Sequence, residues 1–164
     1  MFGQRSQKML SKKDMKIIAH LRKDARMSLT TMSRKTSIPV STIFDRLKAC
    51  EEGVIQKHTS LLDFAKLGFD ARANITLRVD KDKREDLKQF LMKNESVNSV
   101  YKINNGYDFL IEGVFRNIKD LEVFLELLEE RFGVTEKQVY YIIEDVKRES
   151  FMSDAELLPL GTNP

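Results

Sequence analysis

Between Ala71 and Val146 the apolar positions switch repeatedly between a strand period and a helix period, and the order of these switches leaves few folds open. Ala71–Val79 alternates, placing Ala73, Ile75, Leu77 and Val79 on one face of a strand. Residues 81–94 take helical spacing, with Leu87, Phe90 and Leu91 inward. Residues 97–103 read as a strand, Asn104-Asn105-Gly106 as a turn, and residues 108–115 as a further strand. The run Phe109-Leu110-Ile111 implies burial on both faces there. Asn117 can cap a long helix carrying Ile118, Leu121, Phe124, Leu125, Leu128 and Phe132, which Gly133 stops. Residues 139–146 make the last strand. The order β-α-β-β-α-β is that of a ferredoxin-like α+β unit, an antiparallel sheet with both helices on one face. The other face needs a cover, and a second copy of the same sheet is the simplest one.

The chain before this unit has only helical periods. Ser11 is a good N-cap with Asp14 three residues on, and Met15, Ile18, Ala19 and Leu21 follow at helical spacing over residues 12–23. Ser28 caps a short helix, 29–35, with Leu29 and Met32 inward. Thr36-Ser37-Ile38-Pro39 breaks the pattern, because Pro39 disfavours helical geometry at Ile38. A third helix begins near Ser41, carries Ile43, Leu47 and Cys50 on one face, and stops at Gly53. Val54-Ile55 starts a short extended segment. Three helices with a tight turn before the third are a helix-turn-helix. The division expected is a loose basic arm over 1–10, the helix-turn-helix over 11–58, an ordered linker over 59–69, the α+β unit over 70–147, and a frayed tail over 148–164.

Charge follows the same boundary. Residues 1–58 hold 13 Lys and Arg against 5 Asp and Glu, a net of +8, whereas residues 59–164 hold 15 against 20, a net of −5. A basic module for a polyanion joined to a module with another task is the implied arrangement. No apolar run approaches the roughly 18 residues that span a bilayer, and the first residues lack the apolar core of a signal peptide. A cytoplasmic protein without a membrane partner is therefore expected. The single cysteine, Cys50, fits that compartment and is most simply a small buried hydrophobe.

In a helix-turn-helix the N-terminal end of the second helix of the motif enters the major groove. Here the exposed positions of that helix are Ser41, Thr42, Phe44, Asp45, Lys48 and Ala49. Ser41 and Thr42 can donate to phosphates or base edges. Phe44 either touches a thymine methyl or packs on a neighbouring helix or the linker. Asp45 can accept from a cytosine amine or pair with an arginine such as Arg46. Arg34, Lys35, Lys48 and Lys57 are the candidates for phosphate neutralisation on double-stranded DNA. An enzyme is not expected: the two histidines, His20 and His58, have no metal-ligand spacing, and no phosphate loop or nucleophile elbow occurs. No metal or cofactor is implied.

Taken together, Lys13-Asp14, Ile17-Ile18, Leu21-Arg22-Lys23-Asp24-Ala25-Arg26, Ser41-Thr42-Ile43, Asp45-Arg46-Leu47-Lys48, Glu52-Gly53-Val54-Ile55 and Leu62-Asp63…Leu67-Gly68-Phe69 resemble the Lrp/AsnC (leucine-responsive, feast/famine) family of transcriptional regulators. The resemblance runs from about Ser11 to Lys147 and implies a winged helix-turn-helix on a RAM- or ACT-like ligand-sensing domain. It also implies dimers formed through the sheets, assembly as far as octamers, and amino-acid effectors. The family places its effector at the turn between the second and third strands, written Gly-x-Tyr-Asp; here Asn105-Gly106-Tyr107-Asp108 stands there, with the glycine one place along. Asp108 as a turn cap and Tyr107 as an interface residue remain an alternative. The third helix is one residue short of the family pattern between Ile43 and Gly53, with Cys50 at a usual leucine position, which shifts the wing at Gln56, Lys57 and His58. Two other functions share the scaffold: an architectural DNA-organising protein without effector, and a sirohaem decarboxylase. The second relies on histidines that residues 59–164 lack.

Overall fold

A computed structural model describes residues 10–158. They form two compact units, one of residues 10–61 with 146–158 and the other of residues 62–145.

The first unit starts with α1 (Lys12–Lys23), held at its head by a reciprocal capping box between Ser11 and Asp14. Helix α2 (Leu29–Thr36) begins where the Ser28 side chain accepts the Thr31 N–H at 3.1 Å. It ends at Ser37, which is left-handed at φ 57°. Helix α3 (Val40–Gly53) starts one residue before Ser41, with Pro39 at the cap position. Ile17, Met32, Ile38 and Ile43 close the small core, with Leu21, Met27 and Leu29 packed against it. Ile17 is fully buried although the helical face read from Met15, Ile18 and Ala19 did not include it.

The tail departs from expectation. Arg22 on α1 donates from Nε to the Phe151 carbonyl at 3.1 Å and from Nη2 to the Glu149 carbonyl at 3.0 Å. The same Nη2 meets Glu149 Oε2 at 3.1 Å, and Leu158 is buried. Polarity predicts a frayed end, but the Arg22 bonds to backbone carbonyls and the buried Leu158 hold the segment. The basic arm, residues 1–9, lies outside the described residues.

The second unit opens on a single 3-10 turn, Ala65–Leu67, closed by Gly68 at φ 82°. The Asp70 N–H donates to the Arg116 carbonyl at 3.2 Å, and the Arg116 guanidinium lies over the Phe69 ring. The sheet then comprises β1 (Ala71–Val79), β2 (Val97–Lys102), β3 (Phe109–Phe115) and β4 (Val134–Tyr141), in the order β2-β3-β1-β4, all antiparallel. Helices α4 (Arg84–Lys93) and α5 (Ile118–Phe132) supply Leu87, Leu91, Leu121, Leu125 and Leu128 to a core against Ile75, Leu77 and Ile111.

Three expectations are corrected. The last strand begins at Val134, not residue 139, because Gly133 in the left-handed region turns α5 straight into the sheet and Val134 pairs with Val79. The Ile142 N–H still donates to the Arg72 carbonyl at 2.8 Å, and residues 143–146 then leave the ladder, with Ile143 92% exposed. Helix α4 starts at Arg84 after an Asp80–Lys83 turn rather than at residue 81. Strand β3 alternates buried with half-buried positions, so Leu110 belongs to the open face of the sheet and is not enclosed like Phe109 and Ile111. That face also carries Thr76, Tyr101 and Tyr140, the two tyrosines 56% and 55% exposed.

Candidate functional site

Two sets of residues stand out, one in each unit. In the first, α3 presents Val40, Ser41, Phe44, Asp45, Lys48 and Ala49 to solvent, with Thr42 half-buried. Pro39 offers no side-chain cap, so the first-turn N–H groups are open to an anion. Arg34 and Lys35 lie exposed in the last turn of α2, before the left-handed Ser37 that folds α3 across it. Phe44 is 57% exposed.

Arg46 is placed differently from its neighbours. Its Nη1 donates to Ser11 Oγ at 3.0 Å and to the two Asp14 carboxylate oxygens at 3.0 and 3.1 Å. Asp45 is therefore not its partner; the carboxylate it meets comes from α1. Burial raises the Asp14 pKa, but hydrogen bonds from Ser11 and the Arg46 guanidinium outweigh it and leave the carboxyl below its usual range. Beyond α3 the Val54 and Ile55 N–H groups both bond to the Cys50 carbonyl at 2.8 Å. Residues 54–61, in the wing position, form no strand, and His58 Nε2 lies 3.2 Å from Glu51 Oε1. Lys57 is exposed on this segment. Burial pushes the Cys50 thiol pKa up, which disfavours its thiolate.

In the second unit the turn after β2 meets the end of β1. Asn105 and Gly106 are both left-handed, at φ 64° and 89°, the conformation an Asn-Gly hairpin favours. The Arg78 Nε donates to the Gly106 carbonyl, and a Cβ on Gly106 would lie 2.7 Å from Arg78 Nη2. The positive φ favours glycine there, while the Arg78 guanidinium is a flexible side-chain end that could shift from a Cβ. A bulge between Arg78 and Val79 turns the arginine toward the turn, where it pairs with Glu136 at 2.7 Å and lies 5.7 Å from the Tyr107 ring centre. Tyr107 donates to Glu136 Oε1 at 2.9 Å. Partial desolvation and the Glu136 carboxylate raise its pKa. Asp108 accepts the Val79 N–H at 2.9 Å and pairs with Arg84 at 2.7 Å. Around these groups lies an open depression of about 380 Å³ that also takes in Asp80, Lys81 and Thr135. Arg84 Nε is enclosed there without a hydrogen-bond partner.

The turn residues Asn105 to Asp108 were legible, whereas Arg78, Arg84 and Glu136 were not. They lie on β1, α4 and β4, and the sheet register together with the placement of α4 brings them together. Among the described residues no group of His, Cys, Asp and Glu could hold a metal ion, and no helix is long and apolar enough to cross a membrane.

The fold and these two sets of residues define a class, a helix-turn-helix module joined to a small ferredoxin-like α+β domain. Residues 10–55 match the winged helix-turn-helix DNA-binding family, and residues 72–151 match the Lrp/AsnC ligand binding domain. An uncharacterised HTH-type transcriptional regulator of Pyrococcus abyssi is 30% identical over 142 residues, covering 86% of this chain and 97% of that one. The HTH-type transcriptional regulator FL11 of Pyrococcus horikoshii is 33% identical over 122 residues, 74% of this chain and 81% of that one. Among solved structures, a transcriptional regulator of Neisseria meningitidis in complex with L-Met superposes with a TM-score of 0.79 at 23% identity, over 85% of this chain and 94% of that one. LrpC of Bacillus subtilis gives 0.77 at 20% identity, over 85% and 98%. The chain belongs to the Lrp/AsnC family of HTH-type transcriptional regulators, and its function is DNA-binding regulation of transcription.

Proposed function

We propose that α3 lies in the major groove with Ser41, Thr42 and Asp45 at base edges, and that Arg34, Lys35, Lys48 and Lys57 neutralise phosphates. The observation that carries this is the exposed, uncapped start of α3 within a segment of net charge +8. Lys48→Gln should weaken binding on every DNA sequence and lower the slope of log affinity against log salt by about 1. Thr42→Ala should change which sequence is preferred. Equal losses for Thr42→Ala on operator and random duplexes would overturn the base-reading role.

The depression beside Asn105-Gly106-Tyr107-Asp108 suits a small zwitterion. Arg84 and Lys81 offer charge to a carboxylate, and Asp80 and Asp108 offer it to an ammonium. An amino acid is the effector class this supports. A rise in melting temperature with one or a few of the twenty amino acids would support it; no rise with any, alongside retained DNA binding, would favour an architectural role without effector. The open sheet face, with Thr76, Leu110, Tyr101 and Tyr140, supports pairing of two chains through their sheets into a homodimer, which can build tetramers or octamers. The alternative of a sirohaem decarboxylase is less supported, because residues 59–164 contain no histidine.

A further inference from the structure

The side chains that α3 can offer to bases are unusual. Arginine to guanine and asparagine or glutamine to adenine are the common hydrogen-bonding readers of the major groove. The α3 sequence, VSTIFDRLKACEEG, contains no asparagine or glutamine. Its one arginine, Arg46, is bound by Ser11 and Asp14. What remains at the groove-entering end is the short polar set Ser41, Thr42 and Asp45 and, beside it, two large apolar side chains. Val40 is 41% exposed and Phe44 is 57% exposed, and the two lie one helical turn apart on the same face. Large apolar side chains turned to water on a helix of a +8 segment have no core function there.

We propose that Val40 and Phe44 form an apolar strip that reads thymine through its C5-methyl groups, and that these two residues set much of the operator preference. The proposal rests on the assignment of α3 as the recognition helix. In the major groove only thymine presents a methyl, so apolar contact there discriminates without a hydrogen bond. Four helical residues rise about 6 Å, and base pairs stack about 3.4 Å apart. The strip therefore spans methyls about two base steps apart. Ser41 and Asp45, alongside the strip, can bond to the edges of intervening bases, and Lys48 follows one turn later to reach a phosphate.

The test uses the full chain and a duplex it enriches from a random pool. Each thymine is then replaced in turn by deoxyuridine, which removes the methyl and keeps every hydrogen-bonding group. Burying one methyl is worth about a fourfold change in affinity. Wild type should lose about that much at two thymines about two steps apart, and about fifteenfold when both are replaced. Phe44→Ala should bind thymine and uracil duplexes equally at one of these positions, and Val40→Ala at the other. Phe44→Leu, which keeps an apolar contact, should retain discrimination. Wild type indifferent to uracil at every position, or discrimination unchanged in both alanine variants, would overturn the proposal while leaving α3 as the recognition helix. Failure to enrich any sequence would overturn that assignment too. Both side chains are exposed, so unchanged thermal melts are expected for all three variants.

Discussion

Arg46 shows how a residue on the helix proposed to face DNA can serve the fold. Its bonds to Ser11 and Asp14 join the middle of α3 to the head of α1. Asp14 is mostly enclosed, its side chain 13% exposed against 40% for Arg46. Charge-assisted bonds of this partly exposed kind contribute about 1–2 kcal/mol. Asp14→Asn should lower stability by about that much at neutral pH. The folded pKa of Asp14 is depressed, so its stabilisation is present above the unfolded carboxyl value and is lost as pH falls through the folded one. The gap between wild type and Asp14→Asn in urea melts should thus be constant above about pH 5 and close in acid. A gap that persists unchanged in strong acid would contradict this assignment.

Local signals set most of the helix and strand bounds, and where they failed a distant pairing had decided. The capping residues Ser11, Ser28 and Asn117 each accept the N–H three residues on, and each helix starts where its cap places it. The run 139–146 reads as a strand because six of its residues are aromatic or β-branched, yet the ladder with β1 starts at Val134 and ends at Tyr141. Its bounds follow from Gly133 and from the partner strand, neither of which a window of eight residues contains. The tail is a similar case, since its contacts with Arg22 span more than 120 residues. Arg22→Ala should raise amide exchange and protease cleavage across residues 149–158 while lowering unit stability by less than about 1 kcal/mol, because the bonds are exposed. Unchanged exchange in that segment would show that Arg22 does not hold it.

At the scale of the whole molecule, a basic DNA-binding unit and an acidic α+β unit alternate along one chain, which crosses between them after residue 61 and again after residue 145. The open face of the sheet mixes tyrosines and aliphatics with the Arg72, Glu112 and Asp145 ion pairs. A second copy laid on it would bury Tyr101 and Tyr140 and let two recognition helices engage two half-sites. Sedimentation velocity should therefore show a dimer or a larger assembly at micromolar concentration. Tyr140→Glu should shift it toward monomer and weaken operator binding far more than non-specific binding. A wild-type monomer would remove this cover for the face.

The two-part plan, the helix-turn-helix, the β-α-β-β-α-β order and the turn at Asn105-Gly106 were determined by the sequence itself, because caps, glycine turns and apolar period act over a few residues. The tertiary structure alone decided that Arg46 turns to Asp14, that the tail lies on Arg22, and that Arg78, Arg84 and Glu136 gather around Tyr107 and Asp108. Each of these joins elements 30 or more residues apart except the pairs nearest the turn. Such charge pairs leave no periodic trace along the chain. Their partners are selected by register and packing, which exist only once the sheet and the helices have formed.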